Sequence, residues 1–378
     1  KYIILILTIM SVLLVGGCSE NKKSDSPQSG ANVKQVNSDE YFQRLKKNIL
    51  AVTKDELIDL NASNIMVVVL NSKINNVLAM VNTNSTDNKS PSNYNSHIFD
   101  EEVAMYSYEP GDIVAPIVYA IALEKSKIIP DEIINCYNGE YIIENKKITD
   151  AKQYSKLSAE DVIVYSSNIG ITQIASKLSS INLYNGLKSF GLSYPSSNAL
   201  YEEDIGYIPS VTKLDNSIYK ATTSYGYGLK TNLLQLTRAY SVFNNQGMIS
   251  DLSIAQTDNK SSCHKSKVIN NSVAQLIKKS LIKSVQIGTG SVAKMEVFEI
   301  GGKTGISNMV KNNRYINRYH NTFIGFVNST KSKYIIGVLV IDPKKNNDAG
   351  KTAAPIFNKI IELMIQNKYI DKIWPLKR

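Results

Sequence analysis

The sequence predicts an α+β fold in which an antiparallel sheet, assembled from two distant strand pairs and flanked by helices, carries an inserted all-helical lobe. Three observations predict it. Apolar runs at Ile65–Leu70 and Val77–Val81 are separated by Asn71-Ser72-Lys73-Ile74-Asn75-Asn76, the pattern of a hairpin. A second pair lies far downstream, Thr322–Val327 and Tyr334–Ile341, divided by Ser329-Thr330-Lys331. Between the pairs the apolar spacing is mostly helical, and no internal repeat interrupts it.

Each element has its own signal. Phe42, Leu45, Ile49 and Val52 recur at helical spacing, and Ser38 or Asp39 can cap that helix. Thr83 to Ser96 reads as a polar loop. Glu109-Pro110-Gly111 is a turn that delivers the chain into the apolar segment Asp112-Ile113-Val114-Ala115-Pro116. Ser158-Ala159-Glu160-Asp161 has the form of a capping box, so a short helix leads into Ser166-Ser167-Asn168. Thr231 through Leu233, Leu236, Tyr240 and Phe243 to Gly247 predicts a capped amphipathic helix with a glycine stop. Val297 to Ile300 leans apolar and feeds a strand carrying Gly301-Gly302-Lys303-Thr304-Gly305. Pro355 opens a last helix with Ile356, Ile360 and Met364 on one stripe and Phe357 and Ile361 beside it.

Composition bounds the function. With 378 residues, 43% of them apolar and 20% charged, the chain can bury one large core or two ordinary ones, which excludes disorder for the chain as a whole. The net charge of +10 favours an anionic partner: nucleic acid, membrane or wall polymer. The uncharged run Tyr2 to Gly17 is too short for a membrane span and has the length of a signal-peptide core. Its end, Leu14-Val15-Gly16-Gly17-Cys18, resembles a bacterial lipobox. That resemblance implies a signal peptide over 1–17, lipidation of Cys18 and a membrane anchor. Residues 18–38 are polar and read as a tether, with a span on the order of 25 Å. The folded domain is then 39–378. Export argues against a nucleic-acid partner. Cys18, Cys136 and Cys263 are too few for a disulfide framework, and with His97, His264 and His320 scattered, neither a metal site nor any other cofactor is expected.

Three short patterns can carry chemistry. Gly301-Gly302-Lys303-Thr304-Gly305 fails as a phosphate-binding loop because Val297 stands where a glycine is required. As a strand it offers the Lys303 ammonium to a substrate carboxylate, the Thr304 hydroxyl, and at Gly305 room for a second backbone. Ser166 and Asn168 supply a proton-relay hydroxyl and an amide able to bond a peptide carbonyl. The third pattern is Glu109-Pro110-Gly111 with Asp112 and Ala115.

In order, these patterns resemble the transpeptidase domain of class B penicillin-binding proteins, in which Ser-x-x-Lys, Ser-x-Asn and Lys-Thr-Gly line one cleft. Positions 112, 166 and 303 lie 54 and 137 residues apart, which suits that fold. Tyr137 to Tyr141, Leu157 to Lys177, Thr222 to Gly228 and Gly288-Thr289-Gly290 extend the resemblance to about Ile65–Met364. It implies the fold shared with serine β-lactamases, and peptidoglycan stem peptides or β-lactams as ligands. Two expected departures from the class B layout are a missing N-terminal pedestal domain and a lipid in place of a transmembrane anchor.

The departure that bears on chemistry is in the first motif. Asp112 stands where the family has its nucleophilic serine, and Ala115 where it has the activating lysine. A carboxylate is a weak nucleophile towards an amide, its product would be a reversible anhydride, and Ala115 has no base to offer. Loss of such a pair costs about 10⁶ in turnover in a serine protease. Other Ser-x-x-Lys pairs, such as Ser210/Lys213 and Ser280/Lys283, lack the Glu-Pro-Gly lead. Structurally, Asp112 is also suited to cap a helix start through backbone N–H bonds. The favoured expectation is an inactive homologue acting as scaffold or regulator of peptidoglycan synthesis or division, in contact with other wall-synthesis or division proteins. The alternatives are an active D,D-transpeptidase or carboxypeptidase with an unusual nucleophile, and a sensor that binds β-lactams or muropeptides weakly and non-covalently.

Overall fold

In the computed structural model, residues 38–85, 99–200, 202–254 and 264–370 are described. The expected signal peptide, Cys18, nearly all of the tether and Cys263 lie outside them. The helices are α1 (Ser38–Leu60), α2 (Ala115–Glu124), α3 (Ala159–Val164), α4 (Asn168–Ser176), α5 (Leu233–Asn244), α6 (Asn271–Ile287) and α7 (Ala353–Gln366). The main strands are β1 (Asn64–Asn71), β2 (Asn76–Asn84), β3 (Glu299–Lys311), β4 (Arg314–Asn328) and β5 (Lys333–Ile341). Short helices and two-stranded ribbons complete the described chain.

Both expected strand pairs form, and they join. The sheet runs β3-β4-β5-β1-β2, antiparallel throughout, with β1 set against β5 so that Val67 faces Val338. Burial explains why β1 reads Ile-Met-Val-Val-Val-Leu without polar alternation. Ile65, Val67 and Val69 pack with Leu45 and Ile49 of α1 and Phe357 and Ile360 of α7. Met66, Val68 and Leu70 face the other way, into a core shared with α2, α5 and the rest of the helical lobe. A strand covered on both faces has no solvent side to mark with polar residues. Each such side chain contributes about 1.5–3 kcal/mol by burial.

Three expectations shift in detail. β2 runs to Asn84, so the polar loop starts later than Thr83. The last helix begins at Ala353 with Pro355 inside its first turn, where a proline removes no intrahelical bond. The expected amphipathic helix, capped by Asn232 through the Gln235 N–H at 2.8 Å, is α5, and it is buried on every side. Its polar residues are held internally. Arg238 donates to the Ser250 carbonyl at 2.8 Å and the Pro195 carbonyl at 3.1 Å, and pairs with Asp251. No helix among the described residues is long and apolar enough to cross a membrane.

Candidate active site

The site forms where the Glu109-Pro110-Gly111 turn, the junction between α3 and α4, and strand β3 converge. Gly111–Val114 make one 3₁₀ turn that runs into α2. Gly111 has φ of 67°, and a Cβ there would lie 2.1 Å from the Ile306 carbonyl oxygen. Only glycine lets this turn lie against β3. Gly305 plays the reciprocal part, since a Cβ on it would meet the Ile113 Cβ at 2.6 Å. The close backbone approach expected at Gly305 is thus present, and it brings Asp112 alongside Lys303.

Ser166 is delivered by two caps. The Ser158 hydroxyl accepts the Asp161 N–H at 3.1 Å and starts α3, as the capping-box pattern indicates. Ser167 accepts the Gly170 N–H at 2.8 Å and starts α4. Ser166, between them, takes the left-handed conformation with φ of 59°, uncommon for a residue with a side chain.

Asp112, Ser166 and Lys303 meet. The Lys303 side chain is 0% exposed, and its Nζ lies 2.8 Å from Asp112 Oδ2, 2.5 Å from Ser166 Oγ and 2.7 Å from the Thr304 carbonyl. The Ser166 hydroxyl donates to the same Asp112 oxygen. The other Asp112 oxygen, Oδ1, accepts the backbone N–H of Ile306 at 2.9 Å. The capping expectation for Asp112 is corrected here: its carboxylate reaches across to β3 instead of folding back on the helix that follows. The drive is the ammonium, which cannot be left uncompensated in a buried position.

Electrostatics follow from that contact. Burial alone would push the Asp112 carboxyl up. The Lys303 ammonium, the hydrogen bonds from Lys303 and Ser166, and the Ile306 N–H outweigh it and hold the group below the usual carboxylate range. A carboxylate so stabilised is a poor base for the Ser166 proton, because an effective base has a pKa near the working pH. It is a poor nucleophile for the same reason.

The remaining predicted residues lie around this cluster. Thr304 donates to the Thr289 hydroxyl at 2.8 Å. Asn168, half-buried, donates to the Thr149 carbonyl at 3.2 Å. Ala115 is buried at 4% exposure in the first turn of α2 and brings no polar atom to the site. No group of three or more His, Cys, Asp or Glu side chains able to hold a metal occurs among the described residues.

Sequence reasoning missed several participants. Ile306 acts through its backbone, which no side-chain pattern announces. Asp150 anchors α4 from outside the motif, accepting the Ile169 N–H at 3.0 Å and the Ser167 hydroxyl at 2.5 Å. Burial pushes the Asp150 carboxyl up in spite of those bonds. Cys136 sits behind it as a buried free thiol, 3.6 Å from the Ser167 hydroxyl. Thr289 stands in the Gly288-Thr289-Gly290 pattern, which by itself assigns it no role.

Comparison with known proteins agrees with this architecture. The family model for the penicillin-binding-protein transpeptidase domain matches residues 65–362. A probable peptidoglycan D,D-transpeptidase PenA of Neisseria flavescens is 28% identical over 345 residues, covering 89% of this chain and 85% of the relative. The peptidoglycan D,D-transpeptidase FtsI of Buchnera aphidicola subsp. Schizaphis graminum is 29% identical over 307 residues, 80% of this chain and 53% of the relative. The chain thus spans about half the length of that protein. Among solved structures, the apo transpeptidase domain of penicillin-binding protein 3 from Burkholderia pseudomallei superposes with a TM-score of 0.78 at 23% identity, over 92% of this chain and 100% of that one. Penicillin-binding protein 3 of Mycobacterium tuberculosis in complex with aztreonam gives 0.76 at 23% identity, over 88% and 79%. These two likenesses concern the fold.

Proposed function

The chain belongs to the penicillin-binding-protein transpeptidase family, and from that premise we propose that it is a catalytically inactive member, a scaffold or regulator of peptidoglycan synthesis or division in the bacterial envelope. One observation carries the proposal. The carboxylate at the nucleophile's position is itself the acceptor for the Lys303 ammonium, the Ser166 hydroxyl and the Ile306 N–H. Those donors would serve an incoming ligand carboxylate or the oxygen of an attacked carbonyl, and a tethered anion already uses them. A peptide or β-lactam must displace Asp112 or accept its repulsion, so binding is weak and non-covalent. With Ala115 in place of the activating lysine, no group in the cluster converts a hydroxyl into a nucleophile.

On this reading the leader 1–17 and lipidated Cys18 hold the domain at the membrane, and its working contacts are with other wall-synthesis or division proteins and with stem peptides. The N. flavescens and B. aphidicola relatives are named as D,D-transpeptidases, which supports the pathway but not turnover in this chain. Intact-mass measurement after incubation with benzylpenicillin tests the proposal. Unchanged mass is expected, and an acyl adduct on any residue of the cleft overturns it.

A further inference from the structure

A second cavity, sharing no residue with the candidate active site, opens at one end of the sheet. Two neighbouring hairpin turns and the end of α5 border a half-open cleft of about 280 Å³, lined by Lys73, Lys265, Lys331 and Lys333 together with side chains that include Asn244 and Ser329. Its floor is built. Asn244, 4% exposed, donates to Ser72 Oγ at 3.3 Å and to Asn328 Oδ1 at 2.9 Å, while Asn245 donates to the Ser72 carbonyl at 2.7 Å. Ser329, also buried, accepts the Ser332 N–H at 3.0 Å and so shapes the turn between β4 and β5.

The lining is one-sided in charge. Among its described residues four are lysines and none is acidic. Lys73, Lys265 and Lys333 form no ion pair with any described residue. Like charges gathered around one concavity repel each other and focus a positive potential into it, which an anion relieves. Lysine ammonium groups meet a tetrahedral phosphate as point charges, several at once. At about 280 Å³ the cleft offers room for more than an inorganic phosphate. The remaining lining is amide and hydroxyl, suited to hydroxyl-bearing carbons. Its described residues include no aromatic ring on which a nucleobase could stack.

We propose that this cavity binds the phosphate ester of a small polyol or sugar, with Lys73, Lys265 and Lys333 on the phosphate and the Asn and Ser groups on the hydroxyls. The same chemistry occurs in soluble polyol phosphates, including the repeat units of anionic wall polymers, and in the headgroup of a phosphatidylglycerol membrane.

Calorimetric titration of the full, unlipidated chain at low salt with glycerol 3-phosphate tests it, with inorganic phosphate as comparison. Saturable one-to-one binding is expected, at least threefold tighter for glycerol 3-phosphate. Removing an exposed charge costs about threefold, so the Lys73→Ala/Lys265→Ala/Lys333→Ala variant should bind at least tenfold more weakly with an unchanged melting temperature. The substitution Asp112→Ala should leave this binding unaltered. Phosphatidylglycerol vesicles separate the sources. Vesicle binding competed by glycerol 3-phosphate assigns the site to a headgroup, and solution binding without vesicle binding assigns it to a soluble ester. Absence of saturable binding, retention of it in the triple variant, or equal affinity for inorganic phosphate overturns the proposal.

Discussion

Replacing Asp112 by alanine tests the central contact directly. The substitution removes the carboxylate but leaves the Lys303 ammonium, whose side chain is 0% exposed, with only Ser166 Oγ at 2.5 Å and the Thr304 carbonyl at 2.7 Å. Its hydrogen bonds survive while its charge is uncompensated. Removing one member of a buried pair costs about 3–5 kcal/mol. Because the Asp112 side chain is 18% exposed and water can enter behind it, the lower end applies, about 3 kcal/mol. At about 2 °C per kcal/mol for a chain of this size, the melting temperature should fall by about 6 °C. The pH dependence has a defined sign. The Asp112 pKa is lowered on folding, so its stabilisation is fully present above the unfolded carboxylate value near 3.9 and is lost as pH falls through the folded value. The gap between the two proteins should be flat from pH 5 to 8 and close below pH 4. Adding Lys303→Met removes the stranded charge and should recover much of the loss. Calorimetry of the three proteins decides: an Asp112→Ala variant as stable as the parent at pH 7, or a gap that widens towards acid, refutes the reasoning.

Three further outcomes are expected. Asp112→Ser with Ala115→Lys should yield a benzylpenicillin adduct by mass spectrometry, while either change alone should not; absence of an adduct in a folded double variant would show that the cleft has lost more than its first motif. His320 is 5% exposed, its Nε2 sits 2.7 Å from the Tyr106 hydroxyl and its Nδ1 3.5 Å from Ser307 Oγ, with Tyr108 against the ring and Arg318 and Asp342 acting on its charge; burial drops it to about 4. Being neutral when folded, it contributes stability above its unfolded value of about 6.5 that is lost as pH falls towards 4, up to about 3 kcal/mol, and His320→Gln should flatten urea midpoints over that window. Gly111→Ala places a Cβ 2.1 Å from the Ile306 carbonyl at φ of 67°, so it should cost about 2 kcal/mol or more and separate the turn from β3; an unchanged midpoint would remove the argument for that contact.

How far the sequence carried depends on what kind of group does the work. The sheet was legible because its four apolar runs are short, dense in Val and Ile, and bounded by polar turns. Their joining into one sheet followed from having no other partners. The unbroken apolar run of β1 fits burial on both faces, but it does not say which helices supply the two covers. In the site, the family resemblance implied one cleft for Asp112, Ser166 and Lys303, yet their contacts are ones that no pattern encodes. Asp112 looked equally fit to cap its own helix. Geometry chose otherwise because Gly111 and Gly305 allow β3 within reach and because Lys303 is sealed from water. A buried ammonium needs an anion, and the chain supplies one in Asp112. Asp112 closes the charge balance of Lys303, and on the proposed reading it does so in place of a ligand's carboxylate. On the proposed reading the Asp112–Lys303 pair is a self-consistent electrostatic unit, and removing the carboxylate leaves a buried ammonium without its anion.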